Sequence, residues 1–158
     1  MEIVLTSAIG SGKTSLSAFD DALFKAGMGN YNLIRLSSII PKNAKIKVKK
    51  NNKKETFQFD GHGFKLYAVY EYNICFRGES TWSGLGWFQK EDGRGIFVEH
   101  SGSSKEKVEN LIENSILELK KRRQYKGKYN KLVIGKKNES NDFICSLVIA
   151  KYKVENWD

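Results

Sequence analysis

Three groups of residues have types and spacings that chemistry can use. The run Gly10-Ser11-Gly12-Lys13-Thr14 stands between an apolar stretch and a helical one, the order in which backbone N–H groups and a lysine cradle a nucleotide phosphate. The match is incomplete. The pattern G-x-x-x-x-G-K-[ST] needs glycine where this chain has Ser7, and no later apolar strand ends in an aspartate suited to hold Mg²⁺. The missing glycine removes the backbone shape that converges N–H groups on phosphate, which favours a plain glycine loop over residues 10–14.

The pair Ser37-Ser38 offers different chemistry. The Ser38 hydroxyl can attack the carbonyl carbon of Ser37 and turn the amide into an ester, a better leaving group. β-Elimination then leaves dehydroalanine at position 38, which hydrolyses to a pyruvoyl cap, while Ser37 keeps a free carboxylate. An unstrained amide resists the first step, so strain or oriented hydrogen bonds must assist it. A bare serine pair is common in loops, and the flanking residues have to decide the matter. Glu99 follows an apolar run and precedes a helical one. A carboxyl in a partly apolar pocket stays protonated near neutral pH and can serve as an acid. The plainer alternative is a negative charge placed near a helix N-terminus. Cys75 and Cys145 sit in apolar runs without ligand spacing and read as buried reduced thiols. His62 and His100 read as ordinary surface or turn histidines.

The elements that position these groups follow from periodicity. Residues 2–7 form a short apolar strand. A helix starts near Ser15, with Leu16, Phe19, Leu23 and Ala26 on one stripe and Gly27 at its end. Residues 32–36 are strand-like, and Pro41 closes that segment. Apolar residues alternate with lysine over 45–49, then an Asn51-Asn52 turn precedes a strand at 56–59. The longest alternation runs over 64–76 and gives one apolar sheet face. Residues 82–89 and 94–99 flank a Glu91-Asp92-Gly93 hairpin turn. Ser103 and Glu106 form a capping-box pattern for a long helix, whose inner face is Val108, Leu111, Ile112, Ser115 and Leu119. Strands at 131–134 and 143–152 close the chain around a polar turn at 138–141. This order predicts one α+β domain, a layered αββα sandwich of mixed, largely antiparallel sheets.

Charge and composition narrow the classes. The 27 Lys+Arg against 18 Asp+Glu give +9, concentrated at 42–54 and 120–128. Those clusters contain almost no interleaved aromatics and no nucleic-acid motif, so solvated turns explain them better than a nucleic-acid surface. No run reaches transmembrane length, and the apolar start is too short for a signal peptide, which points to the cytoplasm and away from a membrane.

The stretch 16–41, L-S-A-F-D-D-A-L-F-K-A-G-M-G-N-Y-N-L-I-R-L-S-S-I-I-P, resembles the pyruvoyl-dependent arginine decarboxylase family. In that family a helix with A-F-D-x-A-L leads through A-G-x-G-N-x-N-L-I-R to a cleavage site S-S-I-x-P, and the match is ungapped. The resemblance implies self-cleavage into a small chain, 1–37, and a large chain, 38–158. It implies conversion of L-arginine to agmatine and CO₂, a step of polyamine biosynthesis, through a Schiff base to a pyruvoyl group made from Ser38. Neither pyridoxal phosphate nor a metal is expected. It assigns Asn32 to polarising the scissile region, Asp20 to the substrate guanidinium, Gly29 to a close backbone approach and Glu99 to the acid. It also implies a homotrimer of cleaved protomers with sites between them. Another cationic substrate, such as S-adenosylmethionine, stays open as an alternative, as do the nucleotide-binding and basic nucleic-acid-binding readings.

Overall fold

The computed structural model describes residues 1–49 and 61–158. The expected Asn51-Asn52 turn and the strand at 56–59 lie outside the described residues. The chain begins with β1 (Glu2–Gly12), which runs further than expected, through the glycines read as a loop. Those glycines are strand residues because α1 (Ser15–Lys25) lies directly on them. A Cβ at Gly10 would overlap the Ala18 carbonyl oxygen and the Ala22 amide nitrogen, and one at Gly12 would overlap the Ser17 hydroxyl.

Helix α1 starts where its cap is. Thr14 accepts from the Ser17 N–H at 3.1 Å, and the Ser17 hydroxyl accepts from the Thr14 N–H at 3.0 Å, a reciprocal box. It ends at Gly27, whose φ of 78° suits glycine. Gly27 donates to Phe24 O and Met28 to Leu23 O, the Schellman arrangement. Ala18, Ala22 and Leu23 are its buried face.

The remaining elements are β2 (Asn32–Arg35), β3 (Ile39–Ile40), β4 (Lys45–Val48), β5 (Lys65–Cys75), β6 (Ser80–Gln89), β7 (Gly95–Gly102), α2 (Lys105–Arg122), β8 (Asn130–Lys137) and β9 (Phe143–Glu155). One sheet has the order β2-β5-β9-β1-β4, with parallel pairs at its two edges. The other, β3-β7-β6-β8, is antiparallel throughout.

Side-chain alternation sorts these elements into layers. Leu66, Ala68, Leu147 and Ile149 pack against α1. On the reverse face Val69, Val148 and Ala150 meet Leu85, Trp87 and Phe97 of the second sheet. The outer face of that sheet packs Phe88, Ile96 and Val98 on Val108, Ile112 and Ile116 of α2. The order of layers is helix, sheet, sheet, helix, as the sequence predicts. Two details differ. The α2 cap is Ser104, which accepts from the Lys107 N–H, because β7 continues through Gly102 and takes up the chain before it. Ile116, which the expected inner face omits, is fully buried, and Ser115 turns toward His100 instead.

Candidate active site

Between β2 and β3 the chain crosses from the edge of one sheet to the edge of the other, and Ser37-Ser38 is in that crossing. It is tethered on both sides: Leu36 N–H donates to Ala68 O at 2.9 Å, and Phe97 N–H donates to Ser38 O at 2.8 Å. Fitting the crossing between these anchors puts Ser38 at φ 70°, in the left-handed region. For a serine that conformation costs about 1–2 kcal/mol and persists only where the surroundings enforce it. Ser37 is exposed and Ser38 half-buried.

The Ser38 hydroxyl donates to the Glu99 carboxylate in a very short contact. Strand pairing makes this meeting. β3 runs antiparallel to β7, with Ile39 opposite Ile96, and Glu99 shares with Phe97 and Ser101 the β7 face that looks into the gap between the sheets. Glu99 is therefore inside a strand and not at its end, and it faces away from α2. Tyr152 of β9 closes the same corner. Its hydroxyl donates to Ile39 O at 3.1 Å, its ring meets Phe97 edge-on, and burial, then the Glu99 charge, push its phenol above the usual range. Glu71 accepts from Ser101 Oγ at 3.1 Å and pairs with Arg35 Nη2 at 3.3 Å, while the Arg35 guanidinium lies 4.9 Å from the Tyr70 ring centroid. None of Tyr152, Glu71, Ser101 and Arg35 was singled out from the sequence. The only available signal was strand alternation, which puts Glu71 and Tyr152 on inward faces once each strand's partner sheet is known.

A family model described as pyruvoyl-dependent arginine decarboxylase matches residues 2–156. The chain belongs to that family. Among curated relatives, the pyruvoyl-dependent arginine decarboxylase of Pyrococcus furiosus is 33% identical over 136 residues, 82% of this chain and 80% of that one. The Pyrococcus abyssi protein of the same name is 32% identical over the same shares. The match to that of Methanothermobacter thermautotrophicus is 50% identical but spans 46 residues, 29% of this chain and 30% of that one.

Within the single chain of this decarboxylase family member, Ser38 and Glu99 meet and the other expected residues lie elsewhere. Asp20 is exposed on α1, in the layer behind the first sheet, and has no hydrogen bond or ion pair among the described residues. Its neighbour Asp21 is engaged, pairing with Lys25 at 2.6 Å and accepting from Ser11 N–H at 2.7 Å. Asn32 sits at the far end of β2, and its amide donates to Gly63 O at 2.6 Å. Gly29 is closely approached by the Phe24 ring, which leaves no room there for a Cβ. Lys13 pairs with Asp142 at 2.6 Å and is otherwise in water, so the strand-to-helix junction forms no phosphate cradle.

His100 points to the α2 side, with Nε2 2.7 Å from Ser115 Oγ. Burial lowers its pKa, against an opposite pull from Glu71 and Glu99. His62 is exposed, as expected of a turn histidine. Cys75 and Cys145 are buried free thiols. Burial raises both, Cys145 to about 12, and no metal-ligand cluster occurs among the described residues.

Proposed function

We propose that this chain cleaves itself between Ser37 and Ser38 and decarboxylates L-arginine to agmatine and CO₂, using a pyruvoyl group derived from Ser38. The observation that carries the reading is the strained Ser38, with its hydroxyl on the Glu99 carboxylate and its carbonyl fixed by Phe97 N–H. The family membership carries the substrate.

Glu99 takes the hydroxyl proton as Ser38 Oγ attacks the Ser37 carbonyl carbon and passes it to the amide nitrogen of residue 38, which leaves as an amine, so an ester replaces the amide. Relief of the left-handed backbone favours this direction. Loss of the α-proton and breaking of the Cβ–Oγ bond then release Ser37 as a carboxylate and leave dehydroalanine. Its imine tautomer adds water and loses ammonia. The products are the chains 1–37 and 38–158, the second capped by a pyruvoyl group. A pyruvoyl ketone supplies an electrophile for an α-amine and an acceptor for the electron pair left as CO₂ departs. Around it the residues present fit. Glu99, which takes a fresh proton from solvent in each turnover, lies where it can deliver that proton to the substrate carbon. Tyr152 holds Ile39 O, and with it the start of the large chain.

The guanidinium needs a carboxylate, and Glu71 is already paired with Arg35. Asp20, exposed and uncommitted on the other side of the first sheet, suits the substrate of a neighbouring protomer, as in a homotrimer with sites between subunits. No helix among the described residues is long and apolar enough to cross a membrane.

Intact-mass measurement of the denatured protein, with a carbonyl reagent, tests processing: two chains are expected, the larger one labelled. CO₂ release from arginine, lysine, ornithine and S-adenosylmethionine tests the substrate, with arginine expected to lead. An unlabelled chain of full mass overturns the reading, and CO₂ from S-adenosylmethionine alone replaces the substrate.

A further inference from the structure

Strand β3 has a reverse side that the reaction does not use. Ile40 belongs to the core between the sheets, whereas Ile39 is 54% exposed and faces the other way, into a cleft of about 310 Å³. Ile39, Pro41 and Phe88 make the apolar part of its wall. Lys42, Lys90, Arg94 and Arg123 make the charged part, and among the described residues no carboxylate lines it. Of these, Arg94 is paired with Asp92 at 2.6 Å. Lys90 and Arg123 have no carboxylate partner among the described residues.

Arg123 adds an independent observation. Its Nη1 is buried with no hydrogen-bond acceptor, the only such side-chain atom among the described residues. Buried donors in folded proteins are nearly always satisfied, so an orphaned guanidinium N–H lining a cleft marks a place for an acceptor. The α2 C-terminus does not supply it, since Leu119 and Lys121 carbonyls there accept from the Arg123 backbone N–H.

We propose that this cleft binds a small amphiphilic carboxylate, with the head group on Arg123 and Lys90 and a short aliphatic or aromatic body against Ile39, Pro41 and Phe88. A guanidinium fork matches a carboxylate, and the cleft's volume is at the lower end of the small-ligand range. The ligand sits against Ile39, the residue after Ser38, and outside the reaction site, so the proposal does not depend on the decarboxylase reading.

Calorimetric titration of the full-length purified protein with octanoate, octylamine and inorganic phosphate tests it. Octanoate is expected to bind with a dissociation constant of about 1 mM or tighter, octylamine not at all, and phosphate at least about tenfold more weakly than octanoate because it leaves the apolar wall bare. Arg123→Gln should weaken octanoate about tenfold or more, Lys90→Gln by a smaller factor, and Lys13→Gln, elsewhere on the basic surface, not at all. Thermal unfolding of each variant checks that it is folded, and Lys90→Gln alone keeps the test alive if Arg123→Gln is not. Absence of octanoate binding, equal binding of octylamine, equal binding of phosphate, or weakening by Lys13→Gln to the same degree would each overturn the proposal.

Discussion

Replacing Ser38 with alanine and, separately, with glycine isolates the backbone strain at the proposed scissile site. Both variants lack the hydroxyl, so both should stay uncut, and both lose the contact to Glu99 equally. They differ in what a φ of 70° costs them and in the freedom each gives the unfolded chain. Alanine bears the left-handed penalty of about 1–2 kcal/mol. Glycine escapes it but gives the unfolded chain extra freedom, which returns about 0.4–1 kcal/mol. The glycine variant should therefore be the more stable by about 0.5–1 kcal/mol, which for a chain of this size shifts the unfolding midpoint by about 1–4 °C. Differential scanning calorimetry of the two uncut proteins reads the difference directly. An alanine variant as stable as the glycine one would mean that no strain is held at residue 38. A cleaved chain in either variant would remove Ser38 from the chemistry altogether.

Glu99→Gln keeps a hydrogen-bonding side chain beside Ser38 but no proton acceptor, so chain cleavage should slow by about 10²-fold or more, followed as a time course on denaturing gels. Any cleaved fraction should turn over arginine poorly; wild-type rates for both steps would retire Glu99. Asp20→Asn should leave the mass pattern of cleavage unchanged while raising KM for arginine about tenfold or more, the worth of a charge-assisted pair. Unchanged KM would move the guanidinium partner elsewhere. His100 has a folded pKa below its ordinary 6.5, so the unfolded chain takes up a proton first as pH falls. Stability is complete above about pH 6.5 and declines below it until the folded pKa is passed. His100→Gln should flatten that part of the profile of unfolding midpoint against pH, and an unaltered slope would show that other groups set it. Burial that raises the Cys145 thiol to about 12 should leave it unreactive to a thiol reagent at pH 8 in the native protein and reactive after denaturation; prompt native labelling would contradict the packing.

Helix α1 was legible in the sequence to within a residue because its signals are local: Thr14 caps it, Gly27 ends it, and neither needs distant chain. The glycines before it were misread for the opposite reason. Gly10 and Gly12 look like loop residues until α1 is laid across them, and only then does their lack of a side chain become a packing requirement inside a strand. The α2 cap slipped by one residue because Ser103 and Ser104 are equivalent locally, and the extent of β7 chooses between them. The layered order was readable because alternation in the long strands is strict. That the long β5 strand is covered on both faces was not, since it depends on which sheet lies opposite.

The site divides along the same line. Ser37-Ser38 announced itself through the residues on either side, but nothing in those residues encodes a left-handed serine, a conformation that glycine or asparagine would ordinarily signal. The conformation is imposed by two hydrogen bonds from chain far away, Leu36 N–H to Ala68 O and Phe97 N–H to Ser38 O, one to each sheet. The segment must cross the space between two sheet edges while held by both, and the strain falls on the residue at the crossing. The same pairing that fixes Ser38 O to β7 brings Glu99 to its hydroxyl. The strain at Ser38 and the nearness of its proposed proton acceptor thus have one cause, the antiparallel register of β3 on β7. Any substitution that slips this short pairing, even one remote from both side chains, should impair cleavage before it impairs folding, because β3 contributes two residues to the sheet while the proposed cleavage depends on it entirely.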